Sequence, residues 1–310
     1  MKENQSRKIY DTVIVGGGPA GYSAALYCAR AGLDTVIIEK LYAGGQMSQT
    51  SSIENYPGSD IGIDGITLAM KMQEQAEHFG AVTKNEQVIS LELSNKIKKA
   101  VTDSAEYLSK TVIIATGAEH KKLGLEGEEE LIGRGVSYCA TCDGMLFKDK
   151  TVAVVGGGNT AVADALYLSN IAKKVYIIHR RDTFRASKIY HDRIKEKDKI
   201  ELILNSELTS LLYDTKLTGV EVTDKDGSTK TLLTDALFVA IGNSPVTSLV
   251  SDILTLDEEG YIIAGEDTKT NIDGVFAAGD VRTKPLRQIV GAVSDGASAA
   301  SFAEKYINTL

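Results

Sequence analysis

The chain has 310 residues, with 34 Lys+Arg against 42 Asp+Glu for a net charge of −8, and 43% of its residues are hydrophobic and 25% charged. That length suits about two domains with real cores, and the composition excludes disordered, collagenous and coiled-coil chains. A net acidic chain with dispersed cations makes a poor partner for a phosphate backbone, which sets nucleic acid aside.

The N-terminus, Met1-Lys-Glu-Asn-Gln-Ser-Arg-Lys8, lacks the apolar run of a signal peptide. No stretch approaches the ~18 unbroken apolar residues that span a bilayer, so no membrane partner is expected and the chain reads as cytoplasmic. The three cysteines, Cys28, Cys139 and Cys142, are too few for a disulfide-stapled secreted scaffold.

From Asp11 the chain reads strand, glycine turn, helix, strand: DTVIVGGGPAGYSAALYCARAGLDTVIIEK. In Gly16-x-Gly18-Pro19-Ala20-Gly21 the first glycine permits a tight turn. The second lets the backbone approach a pyrophosphate, and the third lets helix pack closely on strand. The helix N-terminus offers free N–H groups to phosphates. Glu39, 18 residues past Gly21, stands where a carboxylate accepts from ribose hydroxyls. An ordinary glycine loop is the competing reading of the glycines alone. Cys28, in the helical pattern, reads as a small buried hydrophobe.

Residues 151–180, TVAVVGGGNTAVADALYLSNIAKKVYIIHR, align without gaps to residues 11–40. Gly156-x-Gly158-Asn159-Thr160-Ala161 keeps the phosphate cradle, with alanine at the third position. His179 replaces Glu39, followed by Arg180 and Arg181, with Arg185 further on. Guanidinium groups bind a 2′-phosphate that a carboxylate would repel, so this unit is expected to take NADP(H). A solvated charged face is the bland alternative. Apolar runs ending at Ala115-Thr116-Gly117 and at Gly242 close the two units. Two dinucleotide sites of different charge taste suggest electrons passing from NADPH to a bound flavin.

Between the units lies Cys139-Ala-Thr-Cys142-Asp143. Half a zinc site is one reading of C-x-x-C, but Cys28 and four scattered histidines offer no second pair at the usual spacing. A redox dithiol fits better: two intervening residues let the sulfurs bridge, and one thiol of such a pair usually has a lowered pKa. Asp143 is placed to move the proton that thiol–disulfide exchange requires, or to cap a helix beginning near Gly144.

These residues resemble the low-molecular-weight, bacterial-type thioredoxin reductases, FAD- and NADPH-dependent pyridine nucleotide-disulfide oxidoreductases. Cys139-Ala-Thr-Cys142-Asp143-Gly is similar to their active-site signature, and Gly156-to-Ala161 with His179-Arg180-Arg181 to their NADPH signature. Gly44-Gly45-Gln46-Met47, Asn55-Tyr-Pro-Gly58, Ala115-Thr116-Gly117, Ala278-Gly279-Asp280 and Arg287-Gln288 resemble their FAD contacts. The resemblance runs nearly end to end.

It implies an α/β fold of two Rossmann-like three-layer nucleotide-binding domains. An NADPH domain of residues 118–245 would be inserted into an FAD domain of 1–117 and 246–310, with rotation between two positions. It also implies Cys142 as the flavin-facing sulfur and Cys139 as the one that attacks the partner's disulfide. Oxidised thioredoxin is the implied partner and a homodimer the implied assembly; the alternative acceptor is another small disulfide protein, peroxiredoxin- or glutaredoxin-like. Two segments depart from the family pattern: Ala163-Asp164 stands for a pair of glutamates, and Met145-Leu-Phe147 for a more aromatic run.

Overall fold

The run IYDTVIV at Ile9–Val15 forms strand β1 in the computed structural model, which describes residues 8–310 apart from 51, 52, 54, 187–191 and 195. The chain turns into helix α1 (Pro19–Arg30), whose leading proline needs no N–H partner and has its φ already set for a helix. Strand β2 (Thr35–Glu39) then pairs parallel to β1, Val13 beside Val36 and Ile14 beside Ile37. Helix α2 (Gly65–His78) is capped by Asp64, whose carboxylate accepts from the Thr67 N–H at 2.9 Å.

Strands β3 (Val82–Asn85), β4 (Val88–Glu92), β5 (Lys98–Thr102) and β6 (Glu106–Ile114) complete the first part of the sheet. The chain leaves through β7 (Ala118–His120). It then runs through β8 (Val136–Ser137), α3 (Ala140–Asp143), β9 (Thr151–Val155), α4 (Asn159–Ser169), β10 (Lys174–His179) and β11 (Ile200–Leu204). Next come β12 (Ser206–Tyr213), β13 (Leu217–Asp224), β14 (Thr229–Leu233), β15 (Ala236–Val239) and β16 (Asn243–Pro245). The C-terminal segment adds β17 (Val275–Ala277) and helix α5 (Ile289–Ile307).

Two units result, Met1–Glu119 with Ser244–Leu310, and His120–Asn243. In unit 1 the sheet order is β3-β2-β1-β6-β5-β4, and β17 also pairs with β6. Strand β6 is long enough to serve two partners on one edge: residues 106–109 pair antiparallel with β5, and residues 112–114 pair parallel with β17. Its strands alternate between two cores. Val13, Val15, Val36, Ile38, Val112 and Ile114 face one, while Ile14, Ile37, Ile113 and Phe276 face the alanine-rich sides of α1 and α5. In unit 2 the order is β11-β10-β9-β15-β8, all parallel, with a separate antiparallel sheet β12-β13-β14. The internal repeat is thus a repeat of topology. β1 lies between β2 and β6, and β9 lies between β10 and β15. No helix among the described residues is long and apolar enough to cross a membrane.

Helix α5 carries one charge that its apolar pattern hides. Asp295 is buried, accepting from Arg282 Nε and Nη2 at 2.8 and 2.7 Å, from Lys284 Nζ at 2.9 Å and from the Gly279 N–H at 2.9 Å. Burial pushes its carboxyl up, but the hydrogen bonds and charges of Arg282 and Lys284 outweigh that and hold it below the usual carboxylate value. The Arg282 and Lys284 side chains are themselves only 4% and 6% exposed. Removing one partner of a buried charge set strands the others. Asp295→Ala is expected to cost about 3–5 kcal/mol, read as a lowered unfolding midpoint, and a loss below about 1 kcal/mol would contradict it. Because the folded-state pKa is depressed, the stabilisation is present above the unfolded carboxylate's pKa and is lost as pH falls through the folded one, visible as acid sensitivity in the parent and missing in the variant.

Candidate active site

Each βαβ unit of the repeat is built around a missing side chain. Gly16 has φ +107°, and a Cβ there would stand 2.4 Å from the Ala115 carbonyl oxygen; one on Gly21 would stand 1.9 Å from the Gly16 oxygen. Gly18, by contrast, has open space where its Cβ would be. Tight turn, open approach and close packing are therefore divided among the three glycines. In unit 2 a Cβ on Gly156 would meet the Ala240 oxygen at 2.3 Å, Gly158 again faces open space, and Ala161 is fully buried.

At the end of β2, Glu39 turns its carboxylate back on the loop, accepting from Gly17 N–H at 2.6 Å and Leu41 N–H at 3.1 Å. His179 occupies the same place at the end of β10, where a Cβ on Gly157 would lie 2.1 Å from its ring. Its Nε2 is 3.1 Å from the Thr183 carbonyl and its ring stacks on Phe184. Burial lowers its pKa, the Thr183 bond opposes that, and the nearby arginines lower it further, so the ring is a neutral donor to that carbonyl. His179 therefore shapes the loop. Arg180, Arg181 and Arg185 are exposed and have no acidic partner among the described residues, and the Arg185 N–H donates to the Gly157 carbonyl at 2.8 Å.

The other residues singled out in unit 1 meet its loop or one another. The Gly44 N–H donates to the Gly17 carbonyl at 2.8 Å, which brings Gly45 beside Gly18. Gln46 Nε2 donates to the Ala118 carbonyl, Asn55 Nδ2 to Gln288 Oε1 at 3.0 Å, and Thr116 Oγ1 to the Val246 carbonyl at 2.6 Å. Gly279 packs so close to Ala20 that a Cβ would meet it at 2.8 Å. Two buried polar atoms there have no hydrogen-bond partner among the described residues, Asp280 Oδ1 and Arg287 Nε. Burial raises the Asp280 carboxyl, while Lys284 and Arg287 oppose the rise. An open glycine cradle with orphaned donor and acceptor atoms beside it fits a bound nucleotide group.

Cys139 and Cys142 are joined in a disulfide. Cys139 precedes α3, and its carbonyl accepts from the N–H groups of Cys142 and Asp143 at 3.2 and 3.1 Å. Thr141 Oγ1 lies 3.5 Å from Cys139 Sγ. Asp143 is the last residue of α3. Its side chain makes no cap to the following 3-10 turn, which corrects the capping role considered for it; its Oδ2 instead accepts from Ser137 Oγ at 2.7 Å. Cys28 is fully buried, and burial pushes its thiol up to about 12. Sequence reasoning missed Ser137, Asp295, Arg282 and Lys284. A lone aspartate among small residues of α5 was the available signal for one of them.

Paired nucleotide cradles and a redox disulfide define a nucleotide-dependent disulfide oxidoreductase. The chain belongs to the pyridine nucleotide-disulphide oxidoreductase family, whose model matches residues 10–296. It is 47% identical over 305 residues to the thioredoxin reductase of Listeria monocytogenes, covering 98% of this chain and 95% of that one. Its structure is similar to that of the thioredoxin reductase of Streptococcus pyogenes, with TM-score 0.90, 45% identity and coverage of 98% of this chain and 100% of that one. The Giardia duodenalis thioredoxin reductase is also similar, with TM-score 0.89, 39% identity and coverage of 97% and 100%.

Thiol reactivity tests this division of the cysteines. Iodoacetamide at neutral pH should label no cysteine in the oxidised folded protein, two after reduction, and Cys28 only in denaturant, as read by mass spectrometry. Labelling of Cys28 in the folded protein would contradict its burial.

Proposed function

We propose that this chain is an NADPH-dependent thioredoxin-disulfide reductase that uses FAD. The observation that carries the reading is the Cys139–Cys142 disulfide with Asp143 beside it, in a unit that also holds the Gly156–Ala161 cradle and its arginines. When bound, FAD and NADPH would supply a hydride acceptor and donor, and so an electron pair for the disulfide.

The chain's own residues divide the remaining work. In unit 1, Gly16, Gly18, Pro19, Ala20 and Gly21 would hold the FAD diphosphate and Glu39 the ribose. Gly44, Gly45, Gln46, Asn55, Ala115, Thr116, Gly117, Gly279, Asp280, Arg287 and Gln288 would line the rest of that site. In unit 2, Gly156, Gly158, Asn159, Thr160 and Ala161 would hold the NADPH diphosphate, with Arg180, Arg181 and Arg185 on the 2′-phosphate and His179 supporting the loop.

Once the pair is reduced, the Cys139 thiolate attacks one sulfur of oxidised thioredoxin. A mixed disulfide forms and the other thioredoxin sulfur leaves as a thiolate, which is protonated. Cys142 then attacks Cys139, re-forming the Cys139–Cys142 disulfide and freeing the second thioredoxin sulfur. Asp143, its carboxyl raised by burial, carries the proton. By resemblance the protein works as a homodimer in the cytoplasm.

Titration of the purified yellow protein tests the reading. NADPH should bleach the flavin absorbance and oxidised thioredoxin should restore it, while Cys142→Ser should keep flavin and lose thioredoxin reduction. Absence of any flavin that copurifies or can be added back would sink it. Arg180→Ala with Arg181→Ala should lower kcat/KM for NADPH about tenfold or more and leave that for NADH nearly unchanged, since a charged hydrogen bond is worth about 1.5–3 kcal/mol.

A further inference from the structure

Ser137 ends β8 and is 5% exposed. Its hydroxyl stands between two parts of the redox segment. It accepts from the Cys139 N–H at 3.1 Å and donates to Asp143 Oδ2 at 2.7 Å. The direction of the bonds is forced by the inventory of protons. A backbone N–H can only donate, so the single hydroxyl proton remains for an oxygen. The Cys139 carbonyl competes for it at 3.4 Å, but the carboxylate is nearer and charged, and charge-assisted bonds are the stronger.

Among the described residues the Asp143 carboxylate has no other hydrogen-bond or ion-pair partner. Asp143 is the last residue of the four-residue helix α3 and directly precedes a 3-10 turn. Among the described residues, the elements packed most closely on α3 are the 3-10 turn Gly144–Phe147, which has no titratable side chain and leads to Lys148, and α4, which carries Asp164 and Tyr167. Asp164, whose carboxyl burial pushes up to about 7, is neutral or negative and offers no positive charge. Burial likewise raises the Asp143 carboxyl, and the Ser137 hydrogen bond is the influence that opposes it.

We propose that Ser137 is a positioning residue for proton transfer at the redox pair, its one hydroxyl fixing the Asp143 carboxyl to the backbone of Cys139. This rests on Asp143 as the proton carrier. Ser137 touches neither sulfur, and it acts by setting where the carboxyl stands and at what pH it holds its proton.

The pH dependence of thioredoxin reduction by the flavin-loaded enzyme tests this, with Asp143→Asn identifying the limb that belongs to Asp143. Ser137→Ala should move that limb up by about one pH unit, since loss of a donor to the carboxylate favours the protonated form, and should slow the plateau rate several-fold. Ser137→Thr, which keeps the hydroxyl, should return the limb toward its parental position. Adding Ser137→Ala to Asp143→Asn should leave the pH profile as it is in Asp143→Asn, because the serine sets the position of that limb only through the carboxyl. Infrared titration of the protonated-carboxyl band missing from Asp143→Asn should show the same upward shift in Ser137→Ala. A Ser137→Ala profile that overlays the parent, or a double-variant pH profile that departs from that of Asp143→Asn, would overturn the positioning role. An unchanged limb in Asp143→Asn would instead overturn the proton-carrier assignment beneath it.

Discussion

The Ala115 carbonyl oxygen lies where a Cβ on Gly16 would stand, and the Gly16 carbonyl lies where one on Gly21 would. Strand, loop and helix can come together at that separation only if the side chains are absent, and the same holds at Gly156 against Ala240. Everything that converges on unit 1's loop follows from this approach: the Gly44 turn bonded to Gly17, the Glu39 carboxylate on the Gly17 N–H, and Gly279 packed on Ala20. Residues far apart in sequence meet there because the backbone at the centre occupies so little room.

The two cradles share a frame and differ in what stands at the end of the second strand. Glu39 uses its charge on the loop's own N–H groups and stays an acceptor. His179 fills the equivalent space with a neutral ring tied to the Thr183 carbonyl, and the positive charge moves outward to three exposed arginines. One backbone geometry thus offers a carboxylate in one unit and guanidinium groups in the other, without altering the strand register on which both depend.

Much of this was legible in the sequence because a βαβ unit is written locally. The glycine spacing, the β-branched runs and the acidic or basic residue after the second strand all lie within 30 consecutive positions. The Cys139–Cys142 pair was legible for the same reason. What escaped was set by tertiary distance or by competition for one proton. Asp295 meets Arg282 and Lys284 across a turn whose path the periodicity does not reveal. Asp143 looked free to cap the next turn, but Ser137, six residues earlier and on a different element, lies within hydrogen-bond reach of its carboxylate. Helical pattern alone correctly placed Cys28, since its burial follows from the apolar face of α1.

Strand β6 offers one edge to two partners, β5 from just before it in the chain and β17 from the last 40 residues. Everything β5 needs is at hand as soon as β6 is made, whereas residues 112–114 keep an unpaired edge until Val275–Ala277 has been synthesised. The intervening residues 120–243 contain a complete parallel sheet of their own. On a ribosome adding about 5–20 residues per second, unit 2 therefore has all its strands several seconds before unit 1 can close. The order of assembly is built into the nesting: the inserted unit is made whole inside a host that is still waiting for its final strand.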